Sequence, residues 1–442
     1  MNSQETIAAL ATPTGRGGIG VIRISGRLVP EIAHALLGQL PQPRYATLSD
    51  FVDSEGQLLD QGIALYFPAP HSFTGEDVLE IQGHGGAIVM DLLLKALLKL
   101  GACLARPGEF SERAFLNGKI DLAQAEAIAD LIDSASAQAA HCAIRSLQGE
   151  FSAKINALVD QLIWLRTYIE AGIDFVDEEI DLLADGQVIE KLNNLMNDLD
   201  KTLDQAQQGY LLKEGMRIVL VGEPNVGKSS LLNHLAGRET AIVTPIPGTT
   251  RDVVRDQIQL DGMPLHITGA GLRETDDPVE QEGIRRTKLA IKEADLVILL
   301  LDDRHHEDQE NANLLAEWSQ SPLIIRNKID LSHHRAGMSA DGVLYLSAKT
   351  GEGIGLLKAY LKDKMGLHSS TEGSFMARRR HLDSLQRTRN AFITALNHAL
   401  TDQSELLAEE LRQAQNARGE ITGKLTTDDL LGQIFSTFCV GK

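Results

Sequence analysis

Gly222-Glu223-Pro224-Asn225-Val226-Gly227-Lys228-Ser229 stands directly after the apolar run Arg217 to Val221 and directly before Ser230 to Leu235, a stretch of helix-forming composition. A strand, a glycine-rich turn closing on Gly-Lys-Ser and a helix form, in that order, a cradle for phosphate groups. The glycines let backbone N–H groups surround phosphate oxygens. Lys228 neutralises the β and γ phosphates, and the Ser229 hydroxyl ligates magnesium (Mg²⁺). Outward from this turn, segments of strand and helix character alternate from Met216 until about Leu367, which predicts a doubly wound α/β domain over 214–367.

The base that accompanies the phosphates is legible further on. Asn327-Lys328-Ile329-Asp330 follows the apolar strand Leu323 to Ile325, and Ser347-Ala348-Lys349 follows a second strand. The Asp330 carboxylate can accept from both N1–H and the 2-amino group of guanine, and the Ala348 N–H can donate to O6. Adenine offers the opposite pattern, and buried polar groups left unpaired discriminate by about 10⁴-fold or more. Gly248-Thr249-Thr250-Arg251-Asp252 lies where a switch loop belongs. Thr250 there is expected to give Mg²⁺ a second hydroxyl only when the γ-phosphate is present.

The flanks differ in texture. Residues 1–118 read as a mixed α+β domain: Ile19 to Ser25, Gly62 to Phe67 and Val78 to Ile81 look like strands, and Ala87 to Leu100 like a helix ending at Gly101. From Ile120 the chain turns rich in Ala, Leu, Gln and Glu. Ile144, Leu147, Phe151, Ile155, Leu158, Leu162, Leu165 and Ile169 recur at spacings of three and four, which predicts one long amphipathic helix. Leu192, Leu195, Leu199 and Leu203 repeat the pattern, and another helical block begins near Ala377. The simplest architecture inserts the α/β domain into a helical bundle made of 119–213 and 368–442.

Composition sets limits on partners. Forty-two basic against 61 acidic residues leave a net charge of −19, the wrong sign for wrapping a phosphate backbone over a large surface. Any RNA would be held largely by a partner. No window approaches 18 uninterrupted apolar residues, and Met1 to Leu10 lacks a basic start and an apolar core, so a cytoplasmic protein with no membrane segment is expected. Three widely spaced cysteines, Cys103, Cys142 and Cys439, suit neither a disulfide framework nor a zinc site.

The stretches Gly-Xaa-Pro-Asn-Xaa-Gly-Lys-Ser-Ser-Leu-Leu-Asn and Pro-Gly-Thr-Thr-Arg-Asp resemble the TrmE-Era-EngA-type GTPases, whose G domain is a Ras-like P-loop fold. The ends of the chain narrow the likeness. Ala11 to Gly20, Phe73-Thr74-Gly75-Glu76-Asp77-Val78, Gly83-His84-Gly85-Gly86, Arg106-Pro107-Gly108-Glu109-Phe110 and the final Phe438-Cys439-Val440-Gly441-Lys442 look like the MnmE (TrmE) family of tRNA modification GTPases. That resemblance covers essentially the whole chain. It implies a homodimer joined through the N-terminal domain, working with the FAD- and NADH-dependent protein MnmG in a heterotetramer. Together they would place an aminomethyl or carboxymethylaminomethyl group on carbon 5 of the tRNA wobble uridine. The carbon would come from a tetrahydrofolate derivative, the 5-formyl or methylene form.

Residue by residue, the resemblance implies GTP contacts from Asn225, Val226, Gly227, Lys228, Ser229 and Ser230, from Thr244, Pro245, Ile246, Pro247, Gly248, Thr249 and Thr250, and from Gly271. Asn327, Lys328, Asp330, Ser347, Ala348 and Lys349 would complete the site. A potassium ion (K⁺) would be ligated by Asn225 with oxygens of Thr244, Ile246 and Thr249, and Glu280 would orient the attacking water through a second water. Arg23, Glu80, Lys119 and Lys442 would line the folate site. Glu80 has the best physical reason, because a carboxylate accepts two hydrogen bonds from the 2-amino group and adjacent N–H of a pterin. For Arg23 and Lys119 a local surface ion pair explains the residue type equally well. Cys439 would be the thiol of the modification chemistry, activated by the charge of Lys442, although a small buried residue in a terminal helix explains a cysteine equally well.

One departure stands out. Where that family reads Asp-Thr-Ala-Gly, this chain has Thr268-Gly269-Ala270-Gly271, and the segment Leu265 to Arg273 is one residue short. The missing Asp would hold Mg²⁺ through a water, and losing one residue flips a strand's side chains unless its end absorbs the change. Impaired Mg²⁺ binding and turnover are therefore expected, with Glu274 or Asp276 able to compensate. Two other functions stay open: a GTP switch or assembly factor without modification chemistry, and a GTP binder with little hydrolysis. Against an assembly factor, no appended RNA-binding pattern is visible, and Arg378-Arg379-Arg380 is the only compact basic run.

Overall fold

Residues 20–25, Gly-Val-Ile-Arg-Ile-Ser, alternate apolar with polar or small side chains as a strand between two different environments must. In the computed structural model they lie mid-sheet. It describes residues 5–13, 15–134, 136–174, 187–236, 254–260, 263–270, 289–305, 321–364, 375–401, 403–423, 428–439 and 441. The chain forms two compact units, one of residues 1–132, 146–196 and 384–442, the other of 133–145 and 197–383.

The first unit holds a six-stranded sheet of β1 (Ile7–Leu10), β2 (Gly20–Ser25), β3 (Thr47–Val52), β4 (Leu58–Phe67), β5 (Val78–Gly83) and β6 (Cys103–Leu104), ordered β3-β4-β5-β2-β1-β6. All neighbours are antiparallel except β1 and β6. On one face Ile22, Ile24, Leu79 and Ile81 pack with Ile32 and Leu36 of helix Val29–Leu37 and with Leu93 and Leu97 of helix Ala87–Lys99. Ile7 and Ala9 belong to a second, smaller cluster with Ala105, Phe110 and Phe73. Arg23 and Glu80, paired across β2 and β5, lie beside that cluster.

Helices complete this unit. Helix Leu122–Ile132 starts at a reciprocal cap: Asp121 N–H donates to Gln124 Oε1 at 3.0 Å, and Gln124 N–H to Asp121 Oδ1 at 2.9 Å. Helix Ser404–Thr422 packs along Glu150–Asp174, burying Leu407, Leu411 and Ala414 on one and Phe151, Ile155, Leu158, Leu162, Leu165 and Ile169 on the other. The expected single helix is in fact two, Ala137–Leu147 and Glu150–Asp174. Gly149 between them has φ +88°, the left-handed conformation that ends a helix, and Ile144 on the expected stripe is 38% exposed. Helix Asp428–Ser436 brings Ile434 and Phe435, with Phe438 beyond it, onto Leu122 and Ala125.

In the second unit a seven-stranded sheet runs β12-β13-β11-β10-β7-β9-β8. Its members are β7 (Met216–Gly222), β8 (Val254–Leu260), β9 (Met263–Ala270), β10 (Leu296–Asp302), β11 (Leu323–Asn327), β12 (Gly337–Met338) and β13 (Leu344–Leu346). β9, β7, β10, β11 and β13 are parallel, and β8 and β12 join antiparallel at the two edges. The near-continuous burial of Ile218 to Val221 and Leu296 to Leu300 is the signature of strands covered on both faces. Among the described residues no helix is long and apolar enough to cross a membrane, and no group of three or more His, Cys, Asp and Glu is placed to hold a metal ion.

Candidate functional site

The phosphate cradle lies at the carboxyl end of central strand β7, where doubly wound sheets bind ligands. Gly222 ends the strand, and a Cβ there would lie 2.6 Å from Leu300 O, so only glycine lets the chain turn off the sheet at this point. Asn225 takes φ +61° and Gly227 φ +109°. The side chains of Asn225, Ser229 and Ser230 are exposed around the turn, and Val226 is buried beneath it. Lys228 opens helix Lys228–Ala236, and its ammonium donates to Gly222 O at 2.7 Å and Glu223 O at 2.8 Å. Burial lowers the pKa of Lys228, which the nearby Glu223 partly offsets. The ammonium is thus curled over the ring of N–H groups that a phosphate would face.

Asn327 fastens this cradle to the base-reading strands. Buried at 2% exposure, it donates from Nδ2 to Val226 O at 2.7 Å and accepts at Oδ1 from Ala348 N–H at 2.8 Å. The Ala348 N–H, expected to serve guanine O6, is therefore engaged by Asn327 here, and O6 must share it. Ser347 Oγ donates to Asp330 Oδ1 at 2.7 Å while accepting from Thr350 N–H at 3.2 Å, which fixes the carboxylate's rotation and leaves Oδ2 to the base. Lys328, at φ +71°, reaches Asp302 Oδ2 at 2.7 Å, and Lys349 is exposed. Asp302 is held well below the usual carboxylate range, first by its hydrogen bond from Arg304 and then by Lys328. Asn327's fastening of the cradle was missed in the sequence. Only its place beside a buried strand end hints at it.

Gly227→Ala tests that fastening. A Cβ would lie 2.3 Å from Asn327 Nδ2, in a backbone conformation that L-residues resist. Strain of about 1–3 kcal/mol adds to about 1–3 kcal/mol for a buried hydrogen bond left unmade. Guanine-nucleotide binding should vanish and the denaturation midpoint fall; unaltered GDP affinity in titration would contradict the geometry.

Thr244, Pro245, Ile246, Pro247, Gly248, Thr249, Thr250, Gly271, Glu280 and Lys442 lie outside the described residues. β9 is informative about the shortened segment. Thr268 pairs with Val219, three residues before Gly222, so it stands roughly 10 Å back from the cradle at about 3.3 Å per residue. Its hydroxyl does not replace the missing carboxylate. The strand itself is not flipped: Leu265 and Ile267 stay buried, and the ladder with β7 runs unbroken from Leu265 to Ala270.

The first unit carries the other set of predicted residues. Arg23 Nε and Nη2 both donate to Glu80 Oε1, at 2.8 and 2.7 Å, and the guanidinium lies over Phe73 and Phe110. The ion pair read as the plain alternative for Arg23 thus exists, with Glu80 itself as partner. Among the described residues no donor reaches Glu80 Oε2. Lys119 is exposed and donates to Pro70 O at 2.9 Å, in the loop that also carries Phe73. Cys439 is exposed rather than buried; its C=O accepts from Gly108 N–H at 3.3 Å. Gly441 packs against Leu10 and Ala11, where a Cβ would lie 2.4 Å from Leu10 O. Arg23 and Glu80 pair in the middle of the sheet; Lys119 lies against Gly75 toward its Ser25–Val78 end, and Gly441 meets Leu10 and Ala11 toward its Val21–Gln82 end.

Beneath them lies a charge network the sequence did not announce. Arg113, 9% exposed, bonds Glu109 at 2.9 Å and Glu76 at 3.1 Å, and Ser25 Oγ donates to Glu76 Oε2 at 2.7 Å while meeting Thr74 Oγ1 at 2.7 Å. Paired this way, the buried charges meet the cost of their desolvation. The stretches Phe73 to Val78 and Arg106 to Phe110 answer one another through it.

Comparison with known proteins follows the same lines. A family model described as "MnmE helical domain" matches residues 122–439, and one described as "GTP-binding protein TrmE N-terminus" matches residues 6–119. The tRNA modification GTPase MnmE of Pasteurella multocida (strain Pm70) is 56% identical over 453 residues, covering 99% of this chain and 100% of that protein. Its counterpart from Yersinia pestis bv. Antiqua (strain Angola) is 55% identical over 454 residues, covering 100% of both. The crystal structure of the G domain of the T. maritima FeoB iron transporter aligns over 34% of this chain and 98% of that one, at 25% identity and a TM-score of 0.27, a likeness that carries no argument.

Proposed function

This chain belongs to the MnmE (TrmE) family of tRNA modification GTPases, and on that premise we propose that it hydrolyses GTP with K⁺ and, together with MnmG, modifies carbon 5 of the tRNA wobble uridine. The group added is aminomethyl or carboxymethylaminomethyl, and its carbon comes from a tetrahydrofolate derivative. The observation that carries the GTPase reading is Asn327, one buried carboxamide tied both to the phosphate turn through Val226 O and to the base-reading loop through Ala348 N–H.

The residues are suited to their ligands. Gly227 leaves a cradle that a Cβ would fill, Ser229 offers Mg²⁺ an exposed hydroxyl, and Asn225 projects from a left-handed turn beside the phosphates, where its amide oxygen can ligate K⁺. When bound, K⁺ supplies fixed positive charge where transition-state charge develops. Thr244, Ile246 and Thr249 complete its shell, Thr250 senses the γ-phosphate, and Glu280 orients water. In the first unit, Glu80 Oε2 is the acceptor left for a pterin edge, with Arg23 holding the other oxygen. Lys119 and Lys442 face the same ligand, and Cys439 is the exposed thiol.

Residues 1–118 then bind folate and dimerise, 119–213 with 368–442 form the helical domain, and 214–367 are the inserted G domain. A net charge of −19 leaves most of the tRNA to MnmG. A second reading, a GTP binder with little hydrolysis, is favoured by Thr268, whose pairing with Val219 leaves no carboxylate on β9 near the cradle.

Cells lacking this protein should lose the modified wobble uridine, read by mass spectrometry of tRNA nucleosides. Unchanged levels remove the modification function while leaving GTP binding intact. Hydrolysis rates in K⁺ against Na⁺ separate the two readings.

A further inference from the structure

The sheet face that carries Arg23 and Glu80 is closed at one end and open at the other. By strand alternation Ser25, Arg23 and Val21 of β2 share this face with Val78, Glu80 and Gln82 of β5. Ser25 and Val78 are buried, and Ser25 Oγ meets Glu76 Oε2 and Thr74 Oγ1 there, both at 2.7 Å. Phe73 and Phe110 lie over the Arg23 guanidinium and pack with Ile7, the partner of Ser25 on β1. In the other direction Val21 and Gln82 are only half-buried, and Ile63, which pairs with Gln82, is 39% exposed. A ligand whose edge meets Glu80 Oε2 therefore extends toward Gln82.

Gln82 is what such a ligand meets next. It stands two residues beyond Glu80 on the same side, about 6.7 Å along the strand, a span close to the breadth of a fused two-ring system. Ile81, between them, belongs to the core on the opposite face. Among the described residues the Gln82 amide has no hydrogen-bond partner, although the side chain is half-buried. A polar group drawn partly out of water without a partner costs free energy, and a molecule bound beside it removes that cost.

The chain's C-terminal residues arrive at the same open end. Gln82 pairs with Val21, and Val21 O accepts from Ala11 N–H at 2.7 Å, so the three form one row across β5, β2 and the end of β1. A Cβ on Gly441 would lie 2.4 Å from Leu10 O and 3.1 Å from Ala11 Cα. The tail that carries Cys439 thus reaches the sheet at the row of Gln82, one row beyond that of Glu80 and Arg23.

We propose that Gln82 is the specificity-determining residue for the one-carbon group, its amide N–H donating to the carbonyl oxygen of a formyl group on the folate ring nitrogen, an assignment that rests on the folate reading above. The two side chains divide the recognition. Glu80 accepts from the pterin edge, which loaded and unloaded folates share. Gln82 meets the group in which they differ, turning its NH₂ to the carbonyl. A folate that carries no carbon leaves that donor unpaired, and the site discriminates against it for that reason.

Calorimetric titration of the full-length protein with 5-formyltetrahydrofolate and with tetrahydrofolate provides the test. The wild type should bind the formyl form about tenfold more tightly, the scale of one neutral hydrogen bond. In Gln82→Leu that advantage should vanish while the affinity for tetrahydrofolate stays as it was. Gln82→Glu keeps the length and polarity of the side chain but has no donor, so it should lose the same preference and guards against a fault in packing. In both variants the infrared stretch of a ¹³C-labelled formyl carbonyl should move to higher frequency than in the wild type. A wild type with equal affinity for the two folates, or variants in which both affinities fall in equal measure, means that Gln82 does not read the one-carbon group. A wild type that binds neither folate defeats the reading beneath it instead.

Discussion

Asp330→Asn turns the nucleotide preference from guanine toward xanthine, with GTP affinity falling by about 10⁴-fold, the scale on which a hydrogen-bonding site rejects a mismatched partner. The direction follows from Ser347. Its hydroxyl donates to Asp330 Oδ1 at 2.7 Å and is itself anchored by Thr350 N–H. An asparagine at this position gives its carbonyl to Ser347, so the NH₂ faces the base. That donor opposes the 2-amino group of guanine and suits the 2-oxo group of xanthine. Titration with fluorescent GDP and XDP decides it: a variant that still prefers GDP would mean another group reads the base.

The second large effect is a gain. Replacing Thr268-Gly269 with Ile-Asp-Thr ahead of Ala270 restores the missing residue and brings a carboxylate one position nearer Gly222 than Thr268 now stands. The GTPase rate in K⁺ should rise on the order of 10²-fold, the effect of one preorganised charge-stabilising group, and half-saturating Mg²⁺ should fall. Because β9 already buries Leu265 and Ile267 in regular register, the change falls at the strand's end and leaves the core alone. No gain in rate would show that the carboxylate's absence is not what limits turnover.

The phosphate turn and its two strands were legible because their chemistry is local: a glycine pattern, an apolar run and a helix start all sit within about 20 residues, the length of one strand–turn–helix unit. The helical stripe was legible for the same reason, except at Gly149, where a single left-handed residue outweighs a sustained periodicity. Short, partly exposed strands such as β3 (burial pattern ieBeBi) carry weak signals and were not foreseen. Least visible were partnerships between distant segments. Arg23 with Glu80 spans 57 residues and Asn327 with Val226 spans 101. Their residue types are ordinary on any surface, and only the fold makes them neighbours. His84 and Asp60 belong to the same class: one carboxylate 24 residues away meets both the His84 N–H and its ring Nδ1 at 2.7 Å.

The packing of Ile434, Phe435 and Phe438 on Leu122 and Ala125, and of Leu411 and Gln415 against the helix that bears Arg166, also sets an order of events at the ribosome. Translation delivers residues 197–383 before these closing helices emerge. The unit that embeds the guanine pocket can therefore condense early. The older, upstream unit waits half-finished, its apolar stripe of Phe151 to Ile169 bare, until the final stretch of polypeptide arrives. Nascent chains stalled beyond residue 383 but short of 404 should then be the ones most in need of chaperone cover.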